Sequence, residues 1–412
     1  MPLALRSRPD AGLLVGLLIV GIALRPQLGA VGPLVPRIQD DLGVSHAVAG
    51  LLGTIPVLCM GLFAPFAPAV ARRVGTARAV GGALGLVALF GALRVLVPDA
   101  WAILLLTVPI GVGIAVAGTL LPVAVREILP QRTGAGTGVY AAGMNVGSAS
   151  SPALAVPLAL WLGGWRESLA ALAGVGAVLA LAWIVLARRH GSVGGGPPRK
   201  ALSRAAPMPL RSGLAWVCCA VFGLLGVAFY GLAAWLPDAL REHGWSDKNA
   251  GYVLAVALLA SAPVTLFVPT LTERFGSRRS WMVAGALLNV VALALIIGFP
   301  GGAWGWAVIL GISLGIEFST LMSLPLDFGL GPARVAAMAG MMLGVGYTIS
   351  ALGPFVLGAV RDLTGSYTTS LWLVAGSAAL VAVLSVPLTR ERLAQAAATV
   401  GPWPLPAPAS GT

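Results

Sequence analysis

The chain has 412 residues, of which 58% are hydrophobic and only 10% charged, where a soluble domain averages about 25% charged residues. With a mean hydropathy of +0.92 it is an integral membrane protein. Continuous apolar runs, rather than ten-residue segments of alternating hydropathy, exclude a transmembrane β-barrel, and the placement of the +12 net charge excludes nucleic acid as its cause.

The first stretch, residues 13–50 (LLVGLLIVGIALRPQLGAVGPLVPRIQDDLGVSHAVAG), reads as an apolar helix with Arg25 near its middle, followed by a loop capped by proline. A charge at bilayer depth costs roughly 2.5 kcal/mol or more on insertion scales and faces a bundle interior or an aqueous cavity. Gly29 and Gly32 follow on the helical face of Arg25, so that face holds a cation and then room. Such a face suits an anionic or strongly dipolar ligand. The alternative is a structural arginine bonded to the carbonyls of a neighbouring helix.

Twelve apolar stretches, each near the roughly 20 residues a spanning helix needs, follow at 11–35, 47–70, 79–97, 101–125, 134–161, 168–187, 213–236, 249–270, 281–299, 304–326, 335–360 and 370–389. The first is too long, and its cleavage region too poor in small residues, to be a removed signal peptide. Residues 188–212 are the one long polar interruption, rich in Gly, Pro and basic residues, and read as a flexible linker. They divide a six-helix half, 1–187, from a second, 213–390; residues 391–412 read as a disordered tail. Counted loop by loop, 19 of the 26 basic residues fall on the side of the N-terminus and the linker, and five on the other. That bias puts both termini in the cytoplasm. Of the remaining two, Arg25 is intramembrane, and Arg94 at the end of the third span is expected to snorkel to the interface.

An internal repeat supports the division. A shift of 201 residues aligns Pro36 with Pro237, Gly43 with Gly244, Ser45 with Ser246, Gly50 with Gly251 and Arg73 with Arg274; near 202, Ser148 meets Ser350 and Pro152 meets Pro354. Two parallel six-span halves with a substrate site between them near the midplane is a transporter plan. The fold class is therefore an all-α membrane protein of twelve transmembrane helices in two pseudo-symmetric halves.

Several stretches carry a family resemblance: ALRPQLGAVGPLVPRIQDDLGVS in span one, GIAVAGTLLPVAVREILP in span four, TGVYAAGMNVGSASSPALAVPLA in span five and GVGYTISALGPFVLGAVRDLTGSY in span eleven. Together they resemble the cyanate-permease and nitroimidazole-transporter branch of the major facilitator superfamily. The resemblance implies alternating access, a small anionic or nitrogen-rich substrate, and a monomer. It also makes Arg73, Gly75, Glu273, Arg274 and Gly276 the counterparts of that superfamily's cytoplasmic gate. The chain departs from the family pattern at Arg72, where the gate has an acid, at Gly118 in place of Asn, and at Leu343 in place of Gln.

Within the spans, Glu317 is the second buried-charge anomaly. Desolvation disfavours its ionised form, so it is a proton-coupling candidate, with an ion pair to Arg25 or hydrogen bonds to Ser319 and Thr320 as structural alternatives. Asn145 and Tyr347 occupy equivalent repeat positions and can each donate to an anion or nitro group. Tyr140 and Tyr230 join them as candidate substrate contacts, Tyr230 because it aligns with Gly29. Thr54, Thr119 and Asn289 read as helix bridges. The cysteines Cys59, Cys218 and Cys219 have no metal spacing, the histidines His46, His190 and His243 read as surface loop residues, and there is no nucleotide-binding motif. The chain is thus not an enzyme and needs no cofactor beyond a possible proton gradient.

The expectation is a multi-pass carrier of the inner membrane that moves a small, cyanate-like or other organic or inorganic anion by alternating access, as a proton symporter if Glu317 couples. Its partners are that small molecule and the lipid bilayer. An efflux porter for neutral nitro- or imidazole-like compounds is the first alternative, and a membrane sensor that transports nothing is the one from another class.

Overall fold

In hydrocarbon every backbone N–H and C=O must be satisfied within the chain, so continuous apolar stretches fold as long helices. The computed structural model describes residues 11–129, 133–189, 208–274, 277–327, 332–389, 391–393 and 395, and has no strand among them. Its spans are α1 (Gly12–Leu42), α2 (His46–Val74), α3 (Thr76–Leu93), α4 (Ala100–Glu127), α5 (Thr133–Leu162), α6 (Trp165–Arg189), α7 (Gly213–Glu242), α8 (Asp247–Val268), α9 (Arg278–Gly298), α10 (Pro300–Pro325), α11 (Ala337–Thr364) and α12 (Tyr367–Ser385). Eleven are long and apolar enough to cross a membrane by composition; α5, with 30 residues, completes the twelve by length. Most of the linker and tail, 190–207 and 396–412, lies outside the described residues.

The helices start where the sequence supplies caps. Ser45, Asp99, Ser212 and Ser277 each accept a hydrogen bond from the backbone N–H three residues on, which satisfies an orphan donor of the first turn. Gly43 and Gly244, repeat equivalents, both turn with positive φ, 62° and 84°. So do Gly163 and Gly365, at 106° and 73°. Only glycine adopts this conformation freely.

The repeat is equally visible in packing. Ser168 donates to the Ala155 carbonyl at 2.8 Å in the first half, and Ser370 donates to the Leu357 carbonyl at 2.9 Å in the second. Between the halves, a Cβ built on Gly50 would stand 2.5 Å from the Pro354 oxygen, and one on Gly251 would stand 3.0 Å from the Pro152 oxygen. These are one contact made twice, α2 on α11 and α5 on α8. On the axis itself, Gly32 of α1 presses against the backbone of its own equivalent, Ala233 of α7.

One sequence expectation is corrected by the backbone. No loop follows Arg25: after a break at Leu24 and Arg25 and a short turn of helix, the chain is helical over Val31–Leu42, with Pro36 inside. Gly29 and Gly32 line a space of about 40 Å³ together with Arg25, and their missing side chains let α5 and α7 approach, through Ser151 and Ala233. The break follows from Pro26, which has no N–H to give the Ile22 carbonyl; Arg25 N donates to that oxygen instead, at 3.3 Å. A similar break at Ala351 precedes Pro354 in α11.

Gly50→Ala and Gly251→Ala should therefore each lower the melting temperature of the detergent-purified protein, by an overpacking cost of about 1–3 kcal/mol. Gly174→Ala, where a Cβ meets nothing within 4 Å, should leave it unchanged. Differential scanning fluorimetry of the three variants checks this, and equal melting temperatures would refute the close contact.

Candidate functional site

Arg25 stands at the break in α1, as the residue that precedes the short helix Pro26–Gly29. Its carbonyl accepts from Leu28 N at 3.1 Å and Gly29 N at 2.9 Å, while its side chain leaves the helix axis. The side chain enters a cavity of about 160 Å³ between the halves, walled by α1, α5, α7, α8, α10 and α11. Arg25 is the one charged residue among those that line it. Its Nε is buried without a hydrogen-bond partner, and among the described residues no carboxylate forms an ion pair with it.

Three of the other expected substrate contacts meet here. Asn145 and Tyr347 line the cavity from opposite halves, and Tyr230 lines it from α7. The Tyr230 hydroxyl interacts with both the Arg25 guanidinium and the Tyr347 hydroxyl, and the two tyrosine rings lie 6.5 Å apart. Asn145 and Ser148 have no hydrogen-bond partner among the described residues, so their polar atoms are available to a ligand. The cavity thus has a polar corner rich in donors. The rest of its wall is apolar: Phe222, Phe229, Phe318 and neighbouring leucines. Phe222 stacks edge-on against Tyr347 at 4.9 Å, and Phe229 against Tyr230 at 5.1 Å. A smaller space of about 40 Å³ shares Arg25, Ser148 and Tyr230 and continues between Gly53 and Pro354.

Other candidates lie elsewhere. Tyr140 is not among the lining residues; it is partly buried and packs against the hydrophobic core of the first half. Glu317 is fully buried on the side of α10 that faces α9, where it accepts from Asn289 Nδ2 at 3.0 Å. Its partner is thus Asn289, neither Arg25 nor Ser319, whose hydroxyl bonds the Gly315 carbonyl. Arg94 does not snorkel: it is 1% exposed and turns inward. Of the gate candidates, Arg73 and Arg274 are exposed, and Gly75 turns with a φ of 88°. Gly276 and the side chain of Glu273 lie outside the described residues. Among the described residues, Arg72, Arg73 and Arg78 form no ion pair.

The halves are joined at the opposite end, where α1 runs into α2 and α7 into α8. Arg37 pairs with Asp247 across the halves at 3.1 Å. The Asp362 carboxylate accepts from His46 N at 3.1 Å and Ala47 N at 2.8 Å, which caps α2 from the other half, and meets His46 Nδ1 at 2.7 Å. The His46 ring also meets the rings of Trp235 and Tyr367 of the other half, each 5.7 Å away, so it is a contact between the halves and no free surface residue. Deeper in, Phe355 N donates to Thr54 Oγ1 at 3.2 Å, the helix bridge expected of Thr54.

The residues missed by sequence reading had one usable signal. Arg25 shifted by 201 residues falls on Gly226, which also lines the cavity; reading one turn either side of it on α7 gives Phe222, Phe229 and Tyr230. Ser261 and Thr265 of α8 also line the wall, but both donate to carbonyls of their own helix, and no pattern marked them.

A family model described as Major Facilitator Superfamily matches residues 17–354. The cyanate transport protein CynX of Escherichia coli (strain K12) is 28% identical over 365 residues, 86% of this chain and 91% of that protein. The 2-nitroimidazole transporter of the same organism is 30% identical over 384 residues, 92% and 96%. Among solved structures, the nucleoside transporter NupG has a TM-score of 0.74 at 15% identity, covering 91% of this chain and 99% of that one. A bacterial homologue of the human lysosomal transporter Spinster has 0.73 at 16% identity, covering 98% and 100%. With the twelve-helix bundle, its repeat and a cavity between its halves, these likenesses establish a membrane transporter, and the chain belongs to the Major Facilitator Superfamily.

Proposed function

We propose that the protein is a secondary active transporter that carries a small organic or inorganic anion across the inner membrane by alternating access. One observation carries the proposal: a lone arginine with a buried, unpartnered Nε faces a cavity between the halves that has no carboxylate among its described lining residues. An uncompensated cation in low dielectric favours an anionic partner, and Tyr230, Tyr347, Asn145 and Ser148 supply neutral donors around it. A volume of about 160 Å³ compares with the roughly 150 Å³ that holds one benzene, so the substrate is a single small molecule. Similarity to a cyanate transport protein supports an anion. The phenylalanine wall and the similarity to a 2-nitroimidazole transporter support the second reading, a neutral nitro-heterocycle whose nitro group meets Arg25.

In this proposal the linker 188–212, its two flanking halves and both termini have the orientation that the basic-residue bias gives, with the linker in the cytoplasm. The end closed by Asp362 and Arg37 then faces outward, and the protein works as a monomer. Outward opening has to break the Arg37–Asp247 pair and withdraw Asp362 from three hydrogen-bonding groups of α2. Arg73, Gly75, Glu273, Arg274 and Gly276 would form the gate at the cytoplasmic end. Glu317 is the proton-coupling candidate because it is the buried carboxyl group at mid-span, one helix away from the cavity.

Three measurements test this. Thermal stabilisation of the purified protein by cyanate, nitrate, acetate, benzoate and 2-nitroimidazole, each in excess, reads binding directly. At least one anion should raise the melting temperature of the wild type; Arg25→Ala should weaken its binding about 10- to 100-fold, as loss of a charge-assisted hydrogen bond of about 1.5–3 kcal/mol requires. Stabilisation by 2-nitroimidazole alone would favour the second reading, and an unchanged response in Arg25→Ala would refute both. Asp362→Ala should speed labelling of Ser148→Cys by a membrane-impermeant maleimide applied outside, because the outer closure loses its cap; an unchanged rate would sink the gate assignment. Glu317→Gln should abolish accumulation driven by a pH gradient while counterflow exchange persists, and retained accumulation would exclude Glu317 as the coupling group.

A further inference from the structure

Arg94 is a cation with 1% exposure and, among the described residues, no carboxylate partner, an arrangement that is costly unless the surroundings use the charge. It stands at the end of α3, yet its side chain turns away from the interface. Nη2 donates to the Gln27 backbone carbonyl at 3.1 Å and to Gln27 Oε1 at 2.9 Å, and Nη1 reaches Thr107 Oγ1 of α4 at 3.5 Å. Gln27 is in turn held from α6, because its Nε2 donates to the Leu169 carbonyl at 3.2 Å. Gly91, one turn before Arg94, leaves the room for it: a Cβ there would stand 2.8 Å from Gln27 Cδ. The turn that follows Arg25 is thus clamped by α3 and α6 of its own half.

The second half serves as an internal control. There α7 runs unbroken from Gly213 to Glu242. At the positions of Arg25, Pro26 and Gln27 it has Gly226, Val227 and Ala228, and the stretch of α9 that matches Arg94, residues 293–297, is LALII. Broken helix, cavity arginine, buried glutamine and the arginine that bonds it occur together in one half, and the matching positions of the other have none of them.

We propose that Arg94 is a positioning residue for ligand binding: through Gln27 it fixes the broken turn of α1 and so sets where the Arg25 guanidinium stands in the cavity. A guanidinium suits this task because Nη2 meets both oxygens of Gln27 while Nη1 of the same planar group reaches α4 at Thr107. The inference rests on the reading of Arg25 as the anion contact, and the test keeps the two apart.

The first readout needs no ligand: hydrogen exchange of the backbone amides at 24–30. Arg94→Met and the milder Gly91→Ala should both speed exchange in this segment relative to the rest of α1. The second is a double-mutant cycle on the dissociation constants of cyanate and benzoate. Arg94→Met should weaken binding about 5- to 10-fold when Arg25 is present and leave it within twofold in an Arg25→Lys background, with Arg94→Lys falling between. Unchanged exchange at 24–30 in both variants overturns the clamp. Exchange that rises while binding is unchanged, or falls equally in both backgrounds, reduces Arg94 to a structural role. If Arg25→Lys itself does not alter binding, the Arg25 reading has failed, and the exchange result alone decides the clamp.

Discussion

The structure depends on one constraint, a positive charge held near the middle of a low-dielectric bundle without a counter-charge. An isolated ion there is disfavoured by several kcal/mol, and a long side chain normally escapes to the interface. Arg25 is held back because Pro26 breaks α1 at the same place. The break gives the side chain an exit from the helix axis, and it frees backbone groups that have to be satisfied elsewhere. Arg94 of α3 meets the Gln27 carbonyl of that turn, and two further helices brace the contact, α4 through Thr107 to Arg94 and α6 through Leu169 to the Gln27 side chain. The cavity between the halves lies on the other side of the break, where the Arg25 side chain emerges.

Contacts between the halves follow a different logic. They are small residues against backbone, Gly50 on Pro354 and Gly251 on Pro152, with ion pairs at the closed end and the Phe355 N–Thr54 Oγ1 bond deeper in. Such an interface has little side-chain interdigitation, so its separation needs few rotamer changes. Asp362 adds a fixed stop: it caps the first turn of α2 from the other half, where the helix dipole favours a carboxylate. Each half is cross-linked internally by its own set, Arg166 with Asp41 in one and Arg361 with Glu242 in the other, and these do not have to break when the halves part.

Much of this was legible in the sequence because it follows from one-dimensional patterns. Continuous hydropathy gave the helices, and a fixed offset gave the halves and even the equivalent turn glycines. Arg25 was legible because a charge in an apolar run is anomalous wherever the run folds. Pairings between distant segments were not. Nothing local distinguishes Arg94, which bonds Gln27, from an arginine that reaches the interface, since both sit at the end of an apolar helix. Glu317 was visible as an anomaly, but which face of α10 it occupies depends on how α9 and α10 pack, and the 3.0 Å bond from Asn289 resolves that only in three dimensions. The Leu-Arg-Pro sequence held the position of the break; attention to the later prolines Pro33 and Pro36 obscured it, although α1 runs helically through both.

Symmetry and asymmetry in this chain separate motion from recognition. The repeated features are mechanical: glycine approaches, turn glycines and the serine bonds of α6 and α12. Rocking about a pseudo-twofold axis requires matched surfaces, so they recur in both halves. The cation does not recur. At the equivalent of Arg25 the second half has Gly226, packed so tightly on Ser350 that no side chain fits. A second arginine there would also put two like charges across one small cavity, and each would raise the cost of burying the other. One half therefore supplies the charge and the other the aromatic wall, Phe222, Phe229, Tyr230 and Tyr347. A molecule bridging the two touches both moving bodies at once, which is the condition for its presence to bias their relative motion.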